Sequence, residues 1–486
     1  MIYPNSSEYE ELKKKYSVIP VVKEIPGDID TPITLFNKLC KDKVSYLLES
    51  VEGGDKWGRY SFIGRKPHLT IKGIENKLFV EKNENIEVVS GKYLDCIRDI
   101  FSMYEMPQND ELPDFIGGGV GYIAYDVIRD YEKLLLVNED IIALPDIHLL
   151  IMEEIIVYDH MRQKILIIIN DFVKDNNSTY EQAMEKIESV EKEIYSTNIS
   201  FNSSVVGQSL AYKSNETKAS FVKKVEKAKE YIRKGDIFQV VLSQKLEIDT
   251  NIDPLEFYRV LRSLNPSPYM YYIDFMDYQV VGSSPELLVK LKNDDIETCP
   301  IAGTRPRGED KEADDLFAEE LLYDEKEKAE HLMLLDLARN DIGKLSKFGS
   351  VKVTHFMEVQ RYSHVMHIVS NVVGKLQEKY DMFDVLISSL PAGTVSGAPK
   401  VRAMEIIDEL ENKKRGVYAG CIGYFGFNGN MDMCITIRTV IFKENKAKIQ
   451  AGAGIVADSI PEQEYEETLR KAEALLEAFK LGGVSV

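Results

Sequence analysis

Paired cysteines are missing. The five cysteines (Cys40, Cys96, Cys299, Cys421 and Cys434) are scattered and odd in number, with no CxxC among them. That argues against a disulfide framework and against a zinc knuckle. Long hydrophobic runs are missing as well. The greasiest stretch, KILIIIN (164–170), is far short of the roughly 20 apolar residues that a membrane span needs. The first residues, MIYPNSSEYEELKKKY, hold no apolar signal region. The Asn-x-Ser/Thr triplets therefore read as chance composition, and the expected compartment is the cytoplasm. Basic excess is the third absence: 60 Lys and Arg stand against 80 Asp and Glu, a formal net charge of -20. Such a surface repels phosphate backbones and anionic lipid, so neither nucleic acid nor a membrane is an expected partner. An anionic ligand would need a local basic pocket. No 20–50-residue repeat, low-complexity block, GxxxxGK[ST] loop, Rossmann fingerprint or Ser/His/Asp pattern occurs.

What is present is an ordinary globular composition, 44% apolar and 29% charged over 486 residues. That length suits two domains or one large elaborated one. Residues 1–170 read as short β-type runs (VSYLLES, RYSFIG, HLTIKG, KLFVEK, KILIIIN) with GGD, NEN and GGGVG as turn signals between them. A helical stretch from Ser178 to Glu193 leads into the polar segment STNISFNSSVVGQS, the expected linker, which puts a domain boundary near residue 210. The two domains are then 1–210 and 211–486. Ser220 is the expected N-cap of an amphipathic helix stopping at Gly235. Beyond it, FQVVLSQKLEI, YQVVGSSP, DMCITIRTVIF and KIQAGAGIVA read as strands. DPLEFYRVLRSL, residues 313–340, MFDVLISSL and PEQEYEETLRKAEALLEAF read as helices. Strict βαβ alternation is absent and hairpins are frequent. The expected class is therefore α+β: layered antiparallel sheets with helices on the outside.

Chemistry gathers in the C-terminal half. Glu327 and Glu330 stand at i, i+3 on one predicted helix, and Glu464 and Glu467 do so on another, with Lys471 four residues after Glu467. Hard oxygen ligands from two helices suit a magnesium site completed by water and an anionic substrate. Two solvated acidic faces would have the same spacing, and spacing alone does not decide. In LPAGTVSGAPKVRAMEIIDEL, glycines, Thr394 and Ser396 lead to Pro399, expected at N1 of a helix from Lys400. Such a terminus can receive a carboxylate or phosphate, or can simply be a capped helix. AGAGIVADSIPEQEYEE brings a Gly-rich strand end to Pro461, near the start of the helix that holds Glu464 and Glu467. His364 and His367 lie in a β-rich run that lets them face different ways; a metal role and a core histidine both fit. Cys421 in YAGCIGYF superficially looks like a glutaminase nucleophile elbow. No matching His/Glu segment follows, so a buried strand cysteine is expected.

Six segments in order, SPELLVK (284–290), PIAGTRPRG (300–308), AEHLMLLDLARND (329–341), GTVSGAPKVRAME (393–405), CITIRT (434–439) and GAGIVADSIPEQEYEET (452–468), resemble the chorismate-utilising enzymes. LLESVEGGDKWGRYSFIG (47–64) and NPSPYMYY (265–272) are similar to the anthranilate synthase component I branch of that family. The resemblance implies a Mg²⁺-dependent lyase that converts chorismate and ammonia to anthranilate and pyruvate, at the start of tryptophan biosynthesis. It implies that Glu330 and Glu467, with Glu327 and Glu464 beside them, hold Mg²⁺. Glu286 would be the general acid for the departing C4 hydroxyl, a task that needs a protonated carboxyl. His367 would assist loss of the enolpyruvyl group, and Tyr418 and Arg438 would grip its carboxylate. Gly303, Thr304, Thr394, the backbone from Gly452 through Ala453 to Gly454, and Lys471 would line the rest.

Two positions bear on the sister activities. Isochorismate- and salicylate-forming relatives carry a water-activating lysine where this chain has Gln239. Without that base, ammonia can take the place of water. Many aminodeoxychorismate synthases carry a lysine where this chain has Ala302. The resemblance also implies a tryptophan feedback site built from Leu48, Glu49, Ser50, Pro268, Tyr269, Met270, Ile422, Tyr424 and Cys434, with a carboxylate for the ligand's ammonium and an aromatic slot for its indole. No GxCxGxQ elbow is present, so a separate glutaminase subunit, in a heterotetramer, is the implied source of ammonia.

Overall fold

The strand Tyr60–Ile74 joins two runs, RYSFIG and HLTIKG, that read separately in sequence. The computed structural model describes residues 2–52, 56–134, 138–140, 142–176, 178–197, 211–362 and 365–481. Pro67 lies inside this strand, opposite Met152, where the register with Ile147–Asp159 slips between Ile151 and Met152. Proline cannot donate to a ladder, and the irregularity absorbs its missing N–H. Ile147–Asp159 is buried along nearly its whole length. It also pairs with Lys164–Phe172 and with Gly118–Ile123.

That last strand corrects the reading of GGGVG as a turn. Gly118–Ile123 is fully buried and paired on both edges, with Ile147–Asp159 on one side and Cys421–Gly426 on the other. A Cβ on Gly121 would stand 1.9 Å from the His148 carbonyl oxygen. Glycine is there for close strand approach, not for a turn.

Among the described residues, 23 strands form one hydrogen-bonded sheet, and every ladder between them is antiparallel. Helices cover its outside, so the expected α+β class is the observed one. Strands from the two sides of residue 210 meet at two seams. Ser45–Glu49 pairs with Tyr269–Asp274, setting Glu49 opposite Met270, and Gly118–Ile123 pairs with Cys421–Gly426. The core crosses the same line, with Phe101, Phe383 and Phe425 in ring contact at centroid distances of 5.2–6.1 Å. The expected linker lies mostly outside the described residues, from 198 to 210.

Several local expectations are corrected. The helix near residue 220 is Lys218–Arg233, capped by Thr217, whose side chain accepts from the Ser220 backbone N–H. Gly235, with φ of +81°, ends it as expected. Residues 313–340 form two helices, Lys311–Tyr323 and Glu325–Gly343. Asp324 divides them because its carboxylate accepts from the Lys326 and Glu327 backbone N–H groups, restarting a helix within one helical pattern. Pro399 is the N-cap of Lys400–Glu411 rather than its first helical residue. The run 432–442 is two strands, Met431–Ile435 and Thr439–Lys443, and the break exposes Arg438 to the site described next.

The C-terminal layer positions that site. Gln239–Asp249 and Lys446–Ile455 pair over ten positions, from Val240 opposite Ile455 to Asp249 opposite Lys446. The helix Pro461–Leu481 lies across them, burying Thr468, Ala472, Leu475, Ala478 and Phe479 at helical spacing. No described helix is long and apolar enough to cross a membrane.

Candidate active site

A cavity of about 680 Å³ opens between the sheet and the helices Glu325–Gly343 and Pro461–Leu481. Gln239, Glu286, Gly303, Thr304, Glu327, Glu330, His367, Thr394, Tyr418, Arg438, Gly452, Gly454, Glu464, Glu467 and Lys471 all line it. Sequence positions spread over more than 230 residues thus meet in one place. Ala453 is the exception. On a strand, alternate residues face opposite ways, and Ala453 is buried in the core packing against Phe221 and Ile407. His364 lies outside the described residues.

Glu286 follows the strand Gln279–Ser284 and is 8% exposed. Burial pushes its carboxyl up to about 7, so it retains a proton at neutral pH far more than an exposed glutamate does. Arg438 is held in the left-handed region at φ +52°, a conformation disfavoured for a side chain of this size and typical of functional sites. Its carbonyl accepts from the Ser283 N–H at 3.1 Å, which fixes the kink. No described carboxylate pairs with its guanidinium, and burial without a counter-charge lowers its pKa. A buried cation left so is a receptor for an anionic ligand.

His367, on the strand Val365–Lys375, has Nδ1 at 2.7 Å from the Gly303 carbonyl and 3.1 Å from Thr304 Oγ1. That pairing makes Nδ1 the protonated nitrogen and leaves Nε2 as an acceptor. Burial holds the ring below its ordinary pKa, hence neutral. Gly303 sits at φ +65°, and a Cβ there would stand 2.9 Å from Leu321 Cδ1 and 3.1 Å from Glu327 Oε2. Only glycine meets both demands.

The two glutamate pairs face the cavity from two helices. Glu330 accepts from Gln239 Nε2 at 2.9 Å, Glu327 lies 3.4 Å from Arg305, and Glu467 lies 2.8 Å from Lys471. Burial, followed by repulsion from Glu327, raises the Glu330 carboxyl above its ordinary range, and burial raises Glu464. Among the described residues no three His, Cys, Asp or Glu groups converge tightly enough to enclose a metal by themselves. Magnesium does not require that: it takes one or two carboxylates, keeps several waters, and lets a substrate anion complete its shell. The all-oxygen donor set from two helices fits that chemistry. Lys326 and Arg470 at the rim were missed in sequence; each neighbours a predicted residue, Glu327 and Lys471.

A second cavity, about 880 Å³, lies at the seam between the N-terminal strands and the C-terminal layer. Leu48, Glu49, Ser50, Pro268, Tyr269, Met270, Ile422, Tyr424 and Cys434 all line it. The Glu49 carboxylate, expected opposite a ligand's ammonium, lines this cavity and already has partners in the protein. It accepts from Arg262 at 2.8 and 3.0 Å and from the Tyr258 hydroxyl at 2.7 Å, and is 4% exposed. Asp432 is another acid on the wall, held by Tyr269 Oη at 2.9 Å and Lys290 at 3.2 Å. Cys421 is a buried strand cysteine, its thiol pushed up by burial, as expected.

The model of the chorismate binding enzyme family matches residues 46–477. The chain is 52% identical to the anthranilate synthase component 1 of Acetivibrio thermocellus, covering 99% of each. It superposes on the crystal structure of anthranilate synthase component I from Streptococcus pneumoniae with a TM-score of 0.80 at 41% identity, covering 93% of this chain and 98% of that one. The menaquinone-specific isochorismate synthase of Escherichia coli shares the fold at TM-score 0.71 and 19% identity, with 97% and 98% covered. The chain therefore belongs to the chorismate-binding enzymes, in their anthranilate synthase component 1 family.

Proposed function

We propose that this chain converts chorismate and ammonia to anthranilate and pyruvate in the cytoplasm, as the first step of tryptophan biosynthesis. The observation that carries the reading is Glu286, a buried carboxyl near neutrality in the same cavity as an unpaired guanidinium. Arg438, with Tyr418 beside it, docks the enolpyruvyl carboxylate. Glu286 gives its proton to the C4 hydroxyl, which leaves as water while ammonia bonds to C2. His367, neutral with Nε2 free to accept, then assists elimination of the enolpyruvyl group as pyruvate, and the ring becomes aromatic. Gln239 is no base, so water entering the site is not activated.

Glu330 and Glu467, with Glu327 and Glu464, would hold Mg²⁺, which when bound supplies positive charge to the ring carboxylate. Lys471, which donates to the Gly452 carbonyl at 3.1 Å, orients the Gly-rich strand end. Ammonia comes from glutamine through a partner glutaminase subunit in a heterotetramer, and tryptophan in the seam cavity inhibits turnover. The relatives' designation as component 1 supports a partner component. The nine seam residues sharing one cavity support the inhibitor site.

The test is purified chain with chorismate, Mg²⁺ and ammonium chloride, followed by anthranilate fluorescence with and without tryptophan. Fluorescence that rises only with Mg²⁺ and is suppressed by tryptophan is the expected result. Consumption of chorismate without anthranilate would sink the reaction assignment. Unaffected turnover at saturating tryptophan would sink the inhibitor site alone.

A further inference from the structure

Arg415 is 2% exposed and lies behind the active-site cavity without lining it. It stands four residues beyond Glu411, the last residue of the helix Lys400–Glu411, and the two side chains form a fork. Arg415 Nε and Nη2 donate to that carboxylate at 2.9 and 2.7 Å. Ser243 gives the same carboxylate two further donors, its N–H and its hydroxyl, both at 2.8 Å. The other guanidinium bonds go to backbone: Nη1 donates to the Val395 carbonyl at 2.5 Å and Nη2 to the Val241 carbonyl at 2.7 Å. Val395 follows Thr394, and Val241 lies on the strand of Gln239, so one side chain is tied to two walls of the active site. An ion pair this buried recovers little net stability after its desolvation. What four directed bonds do fix is the position of the guanidinium plane.

The guanidinium sits over two rings. Its carbon is 5.5 Å from the ring centre of Tyr418 and 4.8 Å from that of Tyr125, which comes from the N-terminal half. The chain between them is held in place: the Tyr125 N–H donates to the Gly416 carbonyl and the Gly416 N–H donates to Asp126, each at 2.9 Å. Tyr418 depends on such support, because among the described residues no hydrogen bond reaches its hydroxyl. Gly452 makes room for that hydroxyl, since a Cβ there would stand 2.6 Å from Tyr418 Oη. Burial pushes the phenol up to about 12, so the unpaired hydroxyl stays a donor.

We propose that Arg415 is a positioning residue for the reaction: anchored to Glu411, Val395 and Val241, it sets the Tyr418 ring so that the free hydroxyl meets the substrate's carboxylate. The proposal rests on the reading that Tyr418 and Arg438 dock the enolpyruvyl carboxylate. That carboxylate is present in chorismate before any bond changes, so losing the support weakens substrate binding and leaves the chemical step alone.

Two positions test it at saturating ammonium and Mg²⁺. Arg415→Lys keeps a cation for Glu411 and loses the planar fork that reaches both carbonyls. Tyr125→Leu removes one ring from the guanidinium without unpairing a charge, which keeps the test intact if the lysine variant does not fold. Tyr125→Phe restores the ring and gives up only a hydroxyl that has no partner. The expected result is a KM for chorismate raised about tenfold in Arg415→Lys and about threefold in Tyr125→Leu, with kcat within about twofold and Tyr125→Phe equal to the unsubstituted chain. Added to Tyr418→Phe, neither substitution raises KM further. A lowered melting temperature with unchanged KM in folded Tyr125→Leu marks a purely structural contact and overturns the proposal. A rise in KM that persists in full on the Tyr418→Phe background overturns it too. Tyr418→Phe with an unchanged KM for chorismate overturns instead the docking reading on which it rests.

Discussion

The active-site cavity and the seam cavity share one sheet yet treat charge in opposite ways. In the seam, Glu49 is enclosed by Arg262 and Tyr258, and Asp432 by Tyr269 and Lys290. These two carboxylates are engaged by protein groups before any ligand arrives. In the active site, no described carboxylate pairs with Arg438, and burial raises the Glu286 carboxyl to about 7 against the opposing pull of Thr394 and Lys471. A buried group left unsatisfied costs stability and is kept where a ligand completes it. One region is built to be closed by protein, the other by substrate.

Removing the acid should separate the two regions most sharply. Glu286→Gln is expected to lower anthranilate formation about 10³-fold while tryptophan binding, read by calorimetry, stays unchanged. The pH profile follows the same group. Raising pH through about 7 strips the Glu286 proton, so at fixed free ammonia the rate should fall about tenfold per unit above that value. A flat alkaline limb would remove Glu286 from the role of acid. Arg438→Ala comes next, with kcat/KM for chorismate down about 100-fold in steady-state assays, since one charge-assisted, bidentate contact is lost.

The seam should answer in stability rather than rate. Glu49→Gln breaks a completed ion pair and is expected to cost about 2 kcal/mol in denaturant unfolding, with turnover at low tryptophan retained. Equal stability would mean that Glu49 is not structural and would return it to the ligand. The smallest effect is Met270→Ala, expected to raise the tryptophan concentration for half-inhibition about tenfold with kcat unchanged.

Legibility in sequence followed the range of the interaction. Helices with caps and periodicity, such as Pro254–Leu264 and Pro461–Leu481, were readable because their signals are local. The site residues that line the active-site cavity were named in sequence from the resemblance, most of them within the six ordered motifs and Gln239, Glu327, His367, Tyr418 and Lys471 outside them. The failures lie where a distant partner decides. Gly118–Ile123 reads as a turn until Phe425 and His148 stand against its glycines. Ala453 reads as part of a Gly-rich ligand strand until the pleat turns it into the core. That the Glu49 carboxylate is held by Arg262, 213 residues away, could not be read from its local sequence.

The sequence by itself determined the chemistry on offer: carboxylate pairs one helical turn apart, a Gly-rich strand end beside one of them, an acidic exterior, and no thiol or serine machinery. These follow from residue type and spacing of a few positions, which backbone geometry converts directly into shared faces. Only the tertiary structure decided which groups are left unpaired. Arg438 lacks an anion and Glu286 keeps a proton because strands and helices from distant parts of the chain bury them together, and burial, unlike spacing, belongs to the whole fold.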